Sequence, residues 1–207
     1  MRKLEIALDD EVAQKLETYA AKLGLGVEAF LAQGIQQYAD RFLPTFPTEW
    51  MPLDQWNALV RGEGCPLCNE VASSETANTY GYTITDLEMG RLRLGARQFT
   101  PGYCVLICKK HVPEPYDLSM EERVLFFEDI MRAAQAIEKV FSPLKMNLML
   151  LGNSVPHLHC HIIPRYFGDP VPNGPLLPHE NIPLLSQQEY EERVKLIQAA
   201  LATVLEK

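Results

Sequence analysis

Three histidines, His157, His159 and His161, alternate with Leu158, Cys160 and Ile162 in the run Val155-Pro-His-Leu-His-Cys-His-Ile-Ile-Pro-Arg165. Imidazole has an ordinary pKa close to neutrality, so it serves as nucleophile, acid, base or metal ligand near pH 7. The chain carries five histidines, and three of them fall in this one run. Strict alternation is the period of a half-buried strand, whose residues i, i+2 and i+4 share a face. The run therefore predicts a strand that turns three imidazoles one way and three apolar side chains into a core. Polar residues on the wet face of an edge strand, or a loose metal-binding tract, are the plainer alternatives.

A second group with chemical potential is Cys65-Pro-Leu-Cys68, preceded by Gly64. Two thiolates at this spacing can bite one tetrahedral metal, and the same spacing also occurs in redox pairs. No second cysteine pair follows, so a metal would need histidines from elsewhere in the chain. Cys104, Cys108 and Cys160 stand among apolar residues and read as small buried hydrophobes. Arg165 and the pair Lys109-Lys110 could add positive potential near a phosphate, although solvation is the ordinary role for such lysines. His179 stands alone in a proline-rich stretch and reads as a loop residue.

These groups need a scaffold. Tyr80–Glu88, Arg91–Leu94 and Tyr103–Lys109 read as strands, with Pro101-Gly102 as a turn. Ser119 to Glu122 forms a capping box that opens a helix reaching about Phe141. Val124, Phe127, Ile130, Met131, Ala134 and Ile137 form its predicted buried stripe. Lys145–Leu151 is an apolar strand, and Gly152-Asn153-Ser154 turns it into the histidine strand. Past Arg165 come Pro170, Pro172, Pro175, Pro178 and Pro183, an irregular segment draped over the surface. A second capping box at Ser186–Glu189 opens a terminal helix with Tyr190, Val194, Ile197, Leu201 and Val204 on one face.

At the other end, residues 3–8 alternate like a short strand with Leu4, Ile6 and Leu8 on one face. Asp9 or Asp10 caps a helix carrying Val12, Leu16, Tyr19, Ala20 and Leu23. Gly24-Leu25-Gly26 breaks it. A second helix follows with Phe30, Leu31, Ile35, Tyr38 and Phe42. One strand and two short helices bury little surface alone, so a partner chain is implied. Residues 43–52 hold three prolines and read as an extended linker, and Asp54 to Val60 reads as a short helix.

The chain has 207 residues, enough for one substantial domain and a small one, with 27 acidic against 19 basic residues. That balance disfavours a general nucleic-acid coat. No apolar run reaches the ~20 residues that span a bilayer. The N-terminus lacks the apolar core of a secretory signal, and five cysteines do not suggest a disulfide framework. A reducing cytoplasm is the expected compartment.

The histidine run resembles the signature of the histidine triad (HIT) family, His-φ-His-φ-His-φ-φ with φ apolar, usually followed by Pro-Arg. Gly102-Tyr103 through His111 is similar to the family's strand ending in Pro-Lys-x-His. The resemblance implies an α+β fold, an antiparallel sheet with packed helices, over residues 44–207. It assigns the nucleophile to His159, with a carbonyl near His157 holding its Nδ1–H. It assigns His161 to the transferred phosphoryl group and the leaving oxygen, where a positive charge would stabilise developing negative charge. Asn153 and Ser154 stand where the family has a Gly-Gln-Ser/Thr segment on phosphate oxygens; Arg165, by its charge, is a further expected substrate contact. Zinc-bearing members imply Cys65, Cys68, His111 and His157 as ligands of a structural zinc.

The implied activity is nucleotide-directed hydrolysis at an α-phosphate through a nucleotidyl-histidine intermediate. A dinucleoside polyphosphate, a nucleoside phosphoramidate and an adenylylated compound are the candidate substrates. His161 stands where nucleotidylyltransferase relatives have Gln, a difference that favours hydrolysis with water as the second acceptor; transfer is the alternative within enzymes. Residues 1–43 resemble the ribbon-helix-helix family, in which two chains pair strands and interlock helices, so a homodimer is expected. The DNA-reading positions there would be Lys3, Glu5 and Ala7, within a segment holding seven acidic and five basic residues. Cations on phosphate supply DNA affinity, so a dimerisation module without DNA as partner is the expectation. A DNA-binding regulator with a nucleotide-sensing domain, or an ordinary helical hairpin, are the alternatives.

Overall fold

The computed structural model describes residues 7–42, 50–176, 182 and 184–205, with backbone alone for 36–42 and 205. Most of the expected first strand (Lys3, Leu4, Glu5, Ile6), the linker positions 43–49, the side chains of Tyr38 and Phe42, and Pro178, His179 and Pro183 lie outside the described residues. The chain divides into two compact units, Met1–Glu49 and Trp50–Lys207.

The first unit holds helices α1 (Asp10–Lys22) and α2 (Val27–Phe42). Asp9 caps α1, its carboxylate accepting the Val12 N–H at 2.9 Å. Gly24 ends the helix region at φ +68°, a conformation that costs glycine little. Ala20 is buried, yet Val12, Tyr19, Leu23 and Ile35 are exposed.

The second unit contains α3 (Leu53–Val60), α4 (Pro66–Ala72), β1 (Ala77–Asn78), β2 (Gly81–Asp86), β3 (Gly90–Gly95) and β4 (Cys104–Cys108). Then follow α5 (Met120–Phe141), β5 (Lys145–Met149), β6 (His159–Arg165) and α6 (Gln187–Leu205). The strands form one antiparallel sheet in the order β1-β2-β3-β4-β6-β5. The architecture is the expected mixture of helix and antiparallel sheet.

Strand alternation divides the sheet into two faces. Leu92 and Leu94, Cys104, Leu106 and Cys108, and Cys160 and Ile162 pack with Phe126, Ile130, Ala133 and Ile137 of α5 and Ile197 and Leu201 of α6. Alternate residues of the same strands, Arg93 and Gly95, Val105 and Ile107, His159 and His161 among them, share the opposite face. There they line a cavity with Tyr103. Burial of the first set fixes the register of the second, because a one-residue slip would exchange the two faces.

The buried stripe of α5 differs from the predicted one. Phe126, Asp129, Ile130, Ala133, Ala136 and Ile137 are inside, while Val124, Phe127 and Met131 are exposed by 53%, 38% and 39%. Two helical faces satisfied the 3.6-residue period, and the one with small Ala133 and Ala136 lets the helix lie against the sheet. Asp129 is drawn inside because it accepts the Met89 and Gly90 N–H groups at 2.6 and 3.0 Å, closing the β2–β3 turn. The capping box holds: Ser119 accepts the Glu122 N–H at 3.2 Å, and Glu122 accepts the Ser119 N–H at 3.0 Å.

Candidate functional site

The histidine run is not one continuous strand. β6 begins at His159, and His157 precedes it, fully buried, in a bend where its N–H donates to Val155 O at 2.8 Å. The three imidazoles therefore do not share one face as the alternation predicted. His157 turns into a cluster with cysteines, and His159 and His161 turn into the cavity.

The cluster consists of Cys65, Cys68, His111 and His157, whose ligating atoms all lie within 4.8 Å of one another. Cys65 Sγ and Cys68 Sγ are each 3.4 Å from His157 Nδ1, and Cys68 Sγ is 3.3 Å from His111 Nδ1. The two Nδ1 atoms stand only 3.1 Å apart. Each ring's other nitrogen meets a backbone carbonyl: His157 Nε2 donates to Cys108 O at 2.8 Å, and His111 Nε2 to Val60 O at 3.1 Å. These bonds fix both tautomers with Nε2 protonated, so two bare Nδ1 lone pairs face each other between two sulfur atoms. A cation among them converts that repulsion into bonds, and carbonyl partners behind the rings are the support that metal-ligating histidines use. Burial, then Cys65, pushes the Cys68 thiol up to about 11 without such a cation. Burial pulls His157 down to about 4, which keeps its lone pair available near neutrality. Sequence spacing left two thiols short of two ligands, and the fold brings His111 from the end of β4 and His157 from the entrance to β6.

The cavity encloses about 280 Å³ and is lined by α4, β3, β4 and β6. His159 and His161 sit 5.0 Å apart between ring centres, inclined at 73°. His159 Nδ1 donates to His157 O at 2.6 Å, which leaves Nε2 as the unprotonated nitrogen. Burial lowers the pKa of His159. Burial, then His159, draws His161 down to about 4. Both rings are neutral near pH 7, the form in which imidazole attacks.

The other wall is polar in a way the sequence reading missed. Arg93 is 3% exposed and pairs with Glu70 of α4, itself 8% exposed. Asn78 joins them, donating to Glu70 Oε1 at 2.7 Å and accepting from Arg93 Nη2 at 3.0 Å. Arg93 Nε has no hydrogen-bond partner among the described residues. The available signal was the alternation of Arg91 and Arg93 with Leu92 and Leu94 in β3, which puts both arginines on the face opposite the core.

Asn153 and Ser154 are exposed and precede Val155, which lines the cavity. Arg165, expected as a substrate contact, is not brought to the cavity. It lies at the far end of β6, donating to Asp169 Oδ2 at 2.6 Å, to Asn147 Oδ1 at 2.7 Å and to Gly174 O at 2.8 Å, so it pins the proline-rich segment. Lys109 Nζ donates to the Leu87 and Glu88 carbonyls, and Lys110 pairs with Glu122 at 2.8 Å. Neither lysine lines the cavity.

This sheet, with two histidines on the face opposite α5 and α6, defines a class: residues 83–168 match the HIT domain family and are a HIT domain. His111, Asn153, Ser154 and the three clustered histidines fall inside that range, and Cys65 and Cys68 outside it. Over 74 residues the chain is 38% identical to the bis(5'-nucleosyl)-tetraphosphatase (asymmetrical) of Schizosaccharomyces pombe, covering 33% of this chain and 41% of that protein. Over 78 residues it is 35% identical to Protein hit of Bacillus subtilis, covering 35% of this chain and 54% of that protein. The chain spans about half the length of these relatives, or less. Among solved structures, a histidine triad protein from Sinorhizobium meliloti 1021 superposes with TM-score 0.55 at 24% identity, over 58% of this chain and 90% of that one. A Zn-bound histidine triad family protein from Mycobacterium smegmatis gives 0.51 at 24% identity, over 69% and 96%. At these identities both establish a likeness of fold. None of the described helices is long and apolar enough to cross a membrane.

Proposed function

We propose that the protein is a nucleotide-directed hydrolase that cleaves at an α-phosphate through a nucleotidyl-histidine intermediate. The observation that carries this reading is His159, whose Nδ1–H is taken by the His157 carbonyl at 2.6 Å, so that its free Nε2 belongs to a ring lining the cavity. Nε2 of His159 attacks phosphorus and forms a P–N bond as the P–O bond to the leaving group breaks, its electron pair leaving on that oxygen. Water then displaces His159 from phosphorus and releases a nucleoside monophosphate. His161 lines the same cavity and donates to the transferring group, and Asn153 and Ser154 at the rim contact phosphate oxygens. The tetraphosphatase relative supports a dinucleoside polyphosphate as substrate, with nucleoside phosphoramidates and adenylylated compounds as the other members of the panel.

Cys65, Cys68, His111 and His157 would hold a zinc ion. Four protein ligands fill a tetrahedron and leave no open position, so the metal would supply folding energy and orientation. It would tie α4, which also forms one wall of the cavity, to the entrance of β6. Residues 1–43 act as a dimerisation module in this reading, supported by the exposed Val12, Tyr19, Leu23 and Ile35. Zinc ligation by Cys65 and Cys68 needs both sulfurs reduced, which supports a reducing compartment.

The test is a panel of dinucleoside polyphosphates, nucleoside phosphoramidates and aminoacyl adenylates with product release followed chromatographically. Release of nucleoside monophosphate from at least one is expected; an inert panel with metal-replete protein would overturn the reading.

A further inference from the structure

Tyr103 immediately precedes β4 and lines the cavity beside Val105 and Ile107, and its hydroxyl lies 2.7 Å from His161 Nδ1. The two rings are nearly parallel, 9° apart, with centres separated by 6.0 Å. Phe99 packs against the phenol, 4.4 Å between ring centres, and Tyr103 is 7% exposed. The position depends on Gly95: a Cβ there would fall 2.5 Å from Tyr103 Cδ1 and 2.6 Å from Cε1. β3 therefore leaves a gap that the phenol fills.

Among the described residues, His161 Nδ1 is the hydrogen-bond partner of this hydroxyl. A tyrosine hydroxyl can donate or accept, and a neutral imidazole offers one nitrogen of each kind. Were Nδ1 the donor, the buried phenolic hydrogen would be left without an acceptor, the costlier of the two arrangements. With the phenol as donor, Nδ1 is the acceptor and the ring's proton must sit on Nε2.

We propose that Tyr103 is a positioning residue that holds His161 as its Nε2–H tautomer, the opposite of the tautomer imposed on His159. The two neighbouring rings then present complementary atoms: a lone pair on His159 Nε2 for phosphorus, and an N–H on His161 Nε2 for an oxygen of the transferring phosphoryl group. No proton changes hands. The N–H is oriented before substrate arrives, so it strengthens as charge develops and requires no rearrangement.

This inference rests on the hydrolase reading for its consequence but not for its test. Nitrogen-15 NMR of histidine-labelled, substrate-free protein, with His161 assigned through a His161→Asn variant, reads the tautomer directly. Wild type should show a pyridine-like Nδ1 and a protonated Nε2 at His161, and Tyr103→Phe should show a mixture of tautomers at that ring with the other histidines unmoved. In turnover, Tyr103→Phe should lower kcat on the order of tenfold, a fraction of what a preorganised hydrogen-bond donor contributes, with KM nearly unchanged. A protonated Nδ1 at His161 in wild type, or an unchanged His161 signal in Tyr103→Phe, would overturn the proposal whether or not any nucleotide is hydrolysed. Failure of turnover alone bears on the hydrolase reading.

Discussion

Removing metal from the Cys65–Cys68–His111–His157 cluster should destabilise the second unit by the free energy that binding adds to the folded state. All four ligating atoms already lie within 4.8 Å of one another, and both histidines are held in the ligating tautomer by backbone carbonyls. Little ordering is left for binding to supply, so affinity for the folded state far exceeds that for the unfolded chain. With free zinc a thousandfold above its dissociation constant, binding adds about 4 kcal/mol to folding. For a domain of 150–250 residues each kcal/mol moves Tm by roughly 2–4 °C, so chelation should lower Tm by roughly 8–16 °C. The assay is differential scanning fluorimetry of purified protein with and without a strong chelator, paired with elemental analysis. Cys65→Ser should begin near the chelated Tm and respond little to added zinc. Should wild type contain no metal as purified, gain no stability from added zinc and lose none to chelator, the four side chains would not be a metal site and the tautomers inferred for His111 and His157 would be wrong.

Replacing His159 with Ala should abolish turnover, a loss of several orders of magnitude, while far-ultraviolet circular dichroism stays native; residual hydrolysis above a few per cent would exclude it as nucleophile. Glu70→Ala should cost about 3–5 kcal/mol in urea unfolding, because the guanidinium of Arg93 would stay buried without its counter-charge. Changing both residues together to Met and Leu should recover most of that, and a single-variant cost below about 1 kcal/mol would mean the pair is better solvated than its burial indicates. His161 supplies a pH dependence whose sign is fixed: burial pulls its pKa from 6.5 to about 4, so between those values the unfolded chain binds more protons than the folded one. Its contribution, about 3 kcal/mol for a shift of this size, is complete above pH 6.5 and is lost as pH falls toward 4. Urea unfolding from pH 7.5 to 4.5 should lose stability on acidification, and His161→Asn should flatten that slope; an unchanged slope would show that His161 is solvated in the folded state.

The sheet was legible because its strands alternate cleanly. Burial on the α5–α6 face dictates what the other face displays, and a histidine at 159 with apolar neighbours at 160 and 162 leaves one placement for the imidazole. The metal cluster was legible in part through the cysteine spacing, but its histidines lie 43 and 89 residues from Cys68 along the chain. Only a resemblance could nominate them in advance. The same alternation misled at His157. Pattern alone extended the strand two residues too far, because it cannot register that His157 reaches back to the Cys108 carbonyl and leaves the sheet to do so.

Other differences have a common physical origin, competition between partners that local sequence does not reveal. α5 offered two apolar stripes of equal period, and the choice fell to the one whose alanines permit close approach and whose Asp129 finds two backbone donors in a distant turn. Arg165 follows an apolar run and a proline, and nothing nearby announces that Asp169, Asn147 and Gly174 O will claim its guanidinium. Arg93 and Tyr103 invert that case. Both sit on the cavity face by alternation, and the sequence records their positions plainly, yet their roles depend on Glu70, Asn78 and His161, each brought by a different element. Where a side chain points follows from strand period; what it meets there depends on the long-range pairing of β4 with β6 and on the packing of α4. The chemistry of this face therefore resides in contacts between elements, and the polar groups that sequence periodicity leaves over on an apolar strand are the ones through which it is read.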